Sequence, residues 1–355
     1  MFLNSINYFR AIAILTIVAG HSHGIADLTH QTLLGKTAHN LVAGGSHFFV
    51  FISGFLFHHV FYRRFHLGAF MSKKATTLLI PYSLMSLLPV LYFITTRDWE
   101  AGGRLAYFAP AGTGFFSYYL VPFVKYYVTG YRILGYWYIP FAIVLFSLSP
   151  LFMAFIRLRP KEQLLVTGLL VMAALFIHRP IHGTPLTVLH SVAYFTPVYC
   201  IGIMGSRYRR YIYLYLAGRE YWLLALVLGL ALLQSLTGPQ GSSFKPVFEF
   251  SGVDLMFLQK VAFCFFLLVW LHRFEKRRWP VMGLLATYSF GIFFTHTLFM
   301  SAFIALKERY RLFFNTDQAV VLFPFAVCCV LLLSVGATFL VCRLFPRHSR
   351  YLVGS

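Results

Sequence analysis

Long apolar stretches separated by short polar segments dominate this chain, and ten of them are long enough to cross a bilayer. A membrane-spanning helix needs about 20 mostly apolar residues, with some variation for tilt. The pattern therefore predicts an all-α fold, a polytopic integral membrane bundle of about ten transmembrane helices. The predicted spans are 6–26, 40–61, 75–96, 136–156, 163–178, 186–206, 221–237, 252–272, 281–304 and 319–343.

The composition agrees with a membrane protein. Of the 355 residues, 59% are hydrophobic, 19% are aromatic and only 11% are charged. Soluble domains use charged residues at about a quarter of their positions. No soluble domain, low-complexity linker or coiled coil is recognisable, so residues 1–355 are predicted to form a single transmembrane domain. The five cysteines lie in apolar stretches without ligand spacing and are expected to be small buried hydrophobic residues.

The distribution of basic residues predicts the topology. The formal net charge is +20, and 18 of the 30 Lys and Arg residues lie in one set of alternate connections, against 10 in the other set. The positive-inside rule places the first set in the cytoplasm, and an even number of spans then puts both termini there. No nucleic-acid-binding motif accompanies these residues, so membrane lipids are the expected partners. The first stretch lacks the features of a cleaved signal peptide and is expected to remain as a span.

The first span carries two polar side chains on one stripe. Arg10 and His21 are eleven residues apart, which on an α-helix is about 16.5 Å of rise and close to three full turns. Ionisable side chains inside a membrane segment are costly, and they usually face a polar interior with a functional role. Alternatively, Arg10 extends its charge to the interface and His21 fills a polar gap in the bundle. The residues alone leave both interpretations open.

Other spans contain further polar residues that are candidates for a functional site. In the second span, Ser53 and Gly54 are expected to let a neighbouring helix approach closely, since no nucleophile motif surrounds Ser53. The ninth span contains His296, with a hydroxyl cluster upstream that includes Tyr288. Asp254 and Lys260 in the eighth span are candidates for a buried polar site.

Two features outside the spans are open to more than one interpretation. The connection 97–135 mixes aromatic and polar residues. This composition is typical of an interfacial helix, of a lid over a cavity or of an aromatic belt. Between spans two and three, the basic residues Arg63, Arg64, Lys73 and Lys74 follow from the topology rule alone, yet they also suit a ligand that carries phosphate.

Adjacent histidines in the second span point apart on a helix, so no metal site is predicted.

Several motifs, in chain order from about residue 5 to 345, resemble those of the membrane acyltransferase-3 family. The resemblance rests on short segments that match its signatures: Arg10 with His21 (Arg-x10-His), Phe48–Phe57, Lys73-Lys74 with Ile80-Pro81-Tyr82, Trp137-Tyr138, Tyr199-Cys-Ile-Gly202, and Tyr288-Ser-Phe-Gly-Ile-Phe-Phe-Thr-His296. Two positions depart from the family pattern. Asn7 stands where an aspartate is frequent, and Lys73 and Lys74 replace an Arg-x-x-Arg motif, so Arg63 or Arg64 could share in phosphate binding.

The resemblance implies transfer of an acyl group, usually acetyl, from cytosolic acyl-CoA to a hydroxyl of a polysaccharide or lipid-linked glycan. The expected location is the inner membrane of a bacterium, and the expected donor is acetyl-CoA. In this interpretation His21 is the general base, and Arg10 lies on the side from which CoA arrives. Direct transfer and transfer through an acyl-histidine both remain open. Candidates to contact substrate or the oxyanion are His23, Ser53, Trp137, Tyr288 and His296.

Two other classes are compatible with the pattern. A secondary transporter or a flippase for lipid-linked glycans would also combine many spans with buried polar residues, although no internal repeat is visible. A glycan polymerase or ligase that works without CoA is the other alternative. The sequence does not indicate the oligomeric state, the sugar or the hydroxyl that accepts the acyl group.

Overall fold

A computed structural model describes residues 3–28, 32–181, 186–237, 244–246, 249 and 252–355. This part of the chain is mainly helical, with one two-stranded parallel sheet formed by β1 (Arg179–Pro180) and β2 (Phe244–Lys245). The α-helices are α1 Asn4–His21, α2 Leu33–Val42, α3 Ser46–Leu56, α4 Leu67–Lys74, α5 Ile80–Thr95, α6 Val121–Thr129, α7 Tyr138–Ser147, α8 Ser149–Arg157, α9 Pro160–Ile177, α10 Leu186–Arg207, α11 Arg209–Leu216, α12 Glu220–Thr237, α13 Leu255–His272, α14 Pro280–Thr287, α15 Ser289–Arg309, α16 Thr316–Leu344 and α17 Ser349–Leu352.

The predicted class of fold, a polytopic helical membrane bundle, is confirmed. Within the described residues, eight helices are long and apolar enough to cross a membrane, and the pair α7 and α8, bent by 53°, adds a ninth. These nine coincide with the second to tenth predicted spans. The first predicted span is α1, whose polar residues make it less apolar than the others. The cytoplasmic position of both termini stays a prediction.

Helix α1 tolerates polar residues because other helices surround it. It packs against α3, α13, α14, α15 and α16. Its side chains Phe9, Ala11, Ala13, Ile14 and Val18 are fully buried in the main hydrophobic core. A helix in this position contacts protein on most sides, so its polar groups can face internal cavities instead of lipid.

Small residues bring α3 and α10 into close contact. A Cβ atom at Gly54 would overlap the backbone carbonyl of Tyr199, and one at Gly202 would overlap the carbonyl of Phe51. The prediction that Gly54 permits close helix approach is therefore confirmed. Glycine on both helices lets the two backbones touch directly, which holds α3 against α10.

The two ends of the bundle can be identified from contacts. Glu275 accepts hydrogen bonds from the backbone N–H groups of Asn4 (2.7 Å) and Ser5 (3.0 Å), and so caps the first turn of α1. The segment after α16 folds back to the same end, where the Gly291 N–H donates to Ser355 Oγ (2.9 Å). We call this the inner end, and the end at which α1 finishes, near His21, the outer end.

Two buried ionisable residues of α13 have structural partners. Asp254 caps the helix, because its Oδ1 accepts a hydrogen bond from the Phe257 N–H (3.0 Å). The Lys260 ammonium donates to the carbonyls of Asn40 (2.9 Å) and Leu41 (2.8 Å), which belong to the last turn of α2. These contacts account for the burial of both groups.

The connection 97–135 is ordered and has a small core of its own, in which Trp99, Phe108 and Tyr126 pack against α5. Arg132 binds the Asp98 carboxylate through two hydrogen bonds of 2.8 and 2.9 Å, and this bonding raises the pKa of the guanidinium. Burial next to Asp98 likewise raises the pKa of the Tyr126 hydroxyl. The connection thus forms a rigid surface beside the outer end of α1.

Candidate active site

Helices α1 and α15 are joined by two pairs of polar side chains. Near the inner end, Arg10 Nη2 donates to Ser289 Oγ at 2.8 Å. Near the outer end, His21 Nδ1 lies 3.0 Å from His296 Nε2, with the two rings nearly parallel at an interplanar angle of 9°. The segments that carry His21 and His296 were both identified from the sequence. They lie in contact in the structure, although 275 positions separate the two histidines.

The hydrogen bonds of His296 define which nitrogen of His21 carries a proton. His296 Nδ1 lies 3.0 Å from the carbonyl of Ile292 and 2.8 Å from that of Phe293. Carbonyl oxygens only accept, so Nδ1 of His296 holds the hydrogen, and Nε2 of the neutral ring is an acceptor. His21 must then donate through its Nδ1–H. This leaves Nε2 of His21 with a lone pair, the form that a general base requires.

His21 lies at the boundary between two cavities. A central cavity of about 20 Å³ is lined by His21, Phe49, Trp137, Phe290 and six other residues. A larger outer cavity of about 320 Å³ also includes His21 in its wall. The remaining residues that line the outer cavity are Thr16, Ile17, Gly20, His39, Val42, Ala43, Gly44, Gly45, Ser46, Tyr131, Leu134, Gly135, Trp137, Arg179 and Phe244.

Gly135 gives the imidazole of His21 its space. Its φ of +82° belongs to the region that glycine adopts readily, and a Cβ there would lie 3.2 Å from His21 Cε1. The end of the connection 97–135 therefore forms one wall of the histidine site. Tyr131 and Leu134 extend that wall into the outer cavity. This placement supports the interpretation of the connection as a cover for a cavity.

At the inner end, a basic cavity of about 500 Å³ is lined by Arg10, Lys73 and Arg350. The hydroxyl groups of Thr76, Thr77, Thr287 and Ser355 share this wall, and no Asp or Glu side chain is among the described residues that line it. An anion would find both charge and hydrogen-bond donors there. Arg350 was not identified from the sequence, where it counted only toward the topology.

An aromatic cavity of about 290 Å³ adjoins the basic cavity, since Arg10, Lys73, Thr77 and Phe290 line both. Phe49 and Phe290 also line the central cavity beneath His21. The cavities therefore follow one another along α1, from the basic cavity through the aromatic and central cavities to the outer cavity. Among the described residues, Phe49 and Phe290 alone line both the aromatic cavity and the small central cavity, and we call this junction the narrow step.

The structure brings several predicted residues to these cavities. Ser53 and Lys74 line the aromatic cavity, where the Lys74 ammonium lies 4.4 Å from the ring centroid of Phe146. Trp137 lines both the central and the outer cavity. His296 contacts His21 directly.

Other predicted residues lie elsewhere. Arg63 and Arg64 are exposed on the turn after α3 and are not in the walls of the four cavities. Tyr288 stands at the break between α14 and α15, also outside these walls. His23 Nε2 lies 3.1 Å from His39 Nδ1, and the His23 ring stacks on Phe323. It therefore reaches the outer cavity only through His39.

Within the described ranges, no group of three or more His, Cys, Asp or Glu residues is placed to hold a metal ion. The chemistry available is that of an imidazole pair, an arginine and hydroxyl groups inside a low-dielectric interior.

These features define a polytopic membrane protein with a histidine pair enclosed between cavities that open toward its two ends. The model of the acyltransferase-3 family, described as an acyltransferase domain, matches residues 3–343. The chain belongs to this family and is a membrane acyltransferase, as its motifs predicted. Comparison with curated proteins and with solved structures found no match. Family membership favours the transferase over the transporter, flippase and polymerase alternatives.

Proposed function

We propose that this protein transfers an acyl group, most simply acetyl, from cytosolic acyl-CoA to a hydroxyl of an envelope polysaccharide or lipid-linked glycan. The membrane is the bacterial inner membrane in this proposal, with the inner end of the bundle facing the cytoplasm. The position of His21 between the inner cavities and the outer cavity is the observation that carries the proposal. A donor and an acceptor that arrive from opposite faces would meet at this side chain.

The inner cavities suit coenzyme A. Its anionic phosphates match the basic cavity, where Arg10, Lys73 and Arg350 converge with four hydroxyl groups. Guanidinium and ammonium groups bind phosphate through charge-assisted hydrogen bonds. The long flexible arm of coenzyme A would extend through the aromatic cavity toward Phe49 and Phe290. The thioester at its tip then lies near the central cavity and His21.

The hydrogen bonds of the histidine pair suit base catalysis. Nε2 of His21 removes the proton from the acceptor hydroxyl while the hydroxyl oxygen attacks the thioester carbonyl. The tetrahedral intermediate then collapses, the carbon–sulfur bond breaks, and the imidazolium returns its proton to the thiolate of CoA. His296 accepts the Nδ1–H throughout and stabilises the imidazolium. Such base catalysis contributes about 10²- to 10⁴-fold. A route through an acyl-histidine would use the same nitrogen.

The test uses radiolabelled acetyl-CoA and membranes that contain the purified protein. We expect His21→Ala to abolish transfer to glycan while the variant still binds acetyl-CoA, since His21 is not in the walls of the basic cavity. Arg10→Ala is expected to weaken acetyl-CoA binding measured by calorimetry. Transfer by His21→Ala at the wild-type rate would refute the assignment.

A cheaper experiment separates the proposal from the alternatives that do not use CoA. A ligand that binds the folded protein but not the unfolded chain raises the melting temperature, and the rise increases with the ratio of ligand concentration to Kd. We expect acetyl-CoA to stabilise the wild-type protein in detergent, and lipid-linked sugar alone not to reproduce the effect. Stabilisation by the sugar donor without any effect of acetyl-CoA would favour a polymerase or a flippase.

A further inference from the structure

Arg179 stands in the wall of the outer cavity, on a segment whose backbone is held in an unusual conformation. Helix α9 ends at Ile177, and the next residue, His178, has φ of 54°. Residues other than glycine rarely adopt this left-handed conformation, and it persists where surrounding contacts stabilise it. The turn at His178 directs the chain into β1, which begins with Arg179.

Contacts from three other elements fix this turn. His190 Nε2 lies 3.1 Å from the carbonyls of both Ile177 and His178. The Lys245 ammonium donates to the Phe176 carbonyl (3.3 Å), and the Asp254 N–H donates to Leu175 (2.9 Å). The carbonyl groups at the end of α9 are therefore satisfied from outside the helix. So many contacts on one short segment hold Arg179 in a defined position.

Aromatic rings orient the guanidinium. Its central carbon lies 4.9 Å from the ring centroid of Trp137 and 5.1 Å from that of Phe244. Contact with aromatic faces stabilises the cation and fixes the plane of the group. A guanidinium oriented in this way presents N–H groups in a geometry that matches the paired oxygens of a carboxylate or a phosphate.

The charge of the outer cavity comes mainly from Arg179. Among the described residues that line this cavity, it is the only one with a permanent charge. Burial lowers the pKa of the guanidinium to about 10, while Asp254 and Tyr194 act in the opposite direction, so the group remains cationic at neutral pH. The Asp254 carboxylate already accepts hydrogen bonds from the Tyr194 hydroxyl (2.8 Å) and from Phe257 N–H.

We infer that the acceptor is anionic, and that Arg179 binds a carboxylate or phosphate of the molecule whose hydroxyl is acylated at His21. Both side chains line the same cavity and interact electrostatically. An anion bound at Arg179 would place a neighbouring hydroxyl within the space in front of His21. This inference rests on the proposed function, because it names the class of acceptor for the same site.

The experiment compares three probes by thermal shift of the purified protein in detergent. Methyl β-glucuronide carries a carboxylate, glucose 1-phosphate carries a phosphate, and methyl β-glucoside is neutral. We expect at least one anionic probe to stabilise the wild-type protein and the glucoside to have no comparable effect. The better of the two anionic probes then distinguishes a uronate from a phosphorylated acceptor.

Variants test whether Arg179 is responsible. We expect Arg179→Gln to weaken binding of the effective anionic probe by about 10- to 100-fold, because a charged hydrogen-bonding partner is lost. Arg179→Lys keeps the charge without the paired donors and is expected to bind with intermediate affinity. Arg104→Gln removes an exposed cation of the connection 97–135 that does not line the outer cavity, and serves as the matched control with wild-type affinity.

Several outcomes would overturn the inference. These are equal binding of the neutral glucoside, absence of any shift with both anionic probes, or an unchanged preference for the anion in Arg179→Gln. Stabilisation by acetyl-CoA is measured in parallel with every variant and reports an intact donor site. If acetyl-CoA fails to stabilise the wild-type protein, the proposed function fails. If only the preference for anions is absent, the acyltransfer proposal stands and the acceptor class is wrong.

Discussion

The hydrogen bond between His21 and His296 gives the sharpest prediction about catalysis. Replacing His296 with leucine removes the acceptor for the Nδ1–H of His21, while the apolar side chain roughly preserves the occupied volume. Without that acceptor, His21 is free to adopt the other tautomer, and its imidazolium loses a partner in the transition state. In the proposed mechanism His296 acts as a positioning residue, and its loss is expected to lower kcat without affecting the binding of acyl-CoA.

The magnitude follows from the type of bond lost. A hydrogen bond to a charged group contributes about 1.5–3 kcal/mol. Because the imidazolium forms only during the reaction, this energy belongs to the transition state, and its loss corresponds to a decrease of about 10- to 150-fold in kcat. The KM for acetyl-CoA is expected to stay within about twofold, because the residue is not in the walls of the inner cavities.

The assay measures initial rates of acetyl transfer to glycan in reconstituted membranes for a small set of variants. His296→Gln places an amide oxygen where it can accept from His21, and is expected to recover part of the rate that His296→Leu loses. Thr295→Ala is the matched control, because within the part of the chain that the structure describes this buried hydroxyl bonds only to the carbonyl of Gly291 on its own helix. Unchanged kcat in His296→Leu, or a change confined to KM, would refute the tautomer argument.

Two further predictions concern the cavities on either side of the histidine pair. Arg350→Ala is expected to raise the KM for acetyl-CoA by about threefold to tenfold with little change in kcat, since it removes one partner for phosphate. Arg347 is exposed as Arg350 is, but it does not line the basic cavity, so Arg347→Ala provides the control. An equal effect of both variants in steady-state kinetics would contradict a specific role. Gly135→Ala is expected to lower kcat by about 10- to 100-fold through pressure on the imidazole of His21. Retention of wild-type kcat in that variant would contradict the prediction, because it would show that the backbone at residue 135 moves away from His21 to make room for the methyl group.

The lengths of the apolar stretches along the chain were sufficient to predict most of the fold. Nine predicted spans coincide with long or paired helices, because about 20 apolar residues are hard to place anywhere but in a bilayer. The bend between α7 and α8 was not predicted, although Pro150 at the start of α8 is a helix-initiating residue that marks such a break. Helix α1 was predicted from its apolar run, yet its central position required knowledge of which helices surround it.

The candidate site was predicted only in part. His21 and Arg10 stood out because ionisable residues are rare within spans. Their partners Ser289 and His296 lie in the ninth span, and spacing within one helix contains no information about contacts between distant helices. Arg179 and Arg350 fit the charge distribution expected from topology, so nothing in the sequence distinguished them from other basic residues. The structure places Arg179 in the wall of the outer cavity and Arg350 in the wall of the basic cavity, and the roles proposed for them rest on that placement.

The small volume of the central cavity has a consequence for the membrane itself. A space of about 20 Å³ holds roughly one water molecule. Phe49 and Phe290 line this small space as well as the aromatic cavity, so the passage between the outer cavity and the inner cavities is constricted at their rings. A protein that brings reactants together from both faces of a bilayer would otherwise leak ions and protons. Under the proposed function, the narrow step at Phe49 and Phe290 would limit this leak.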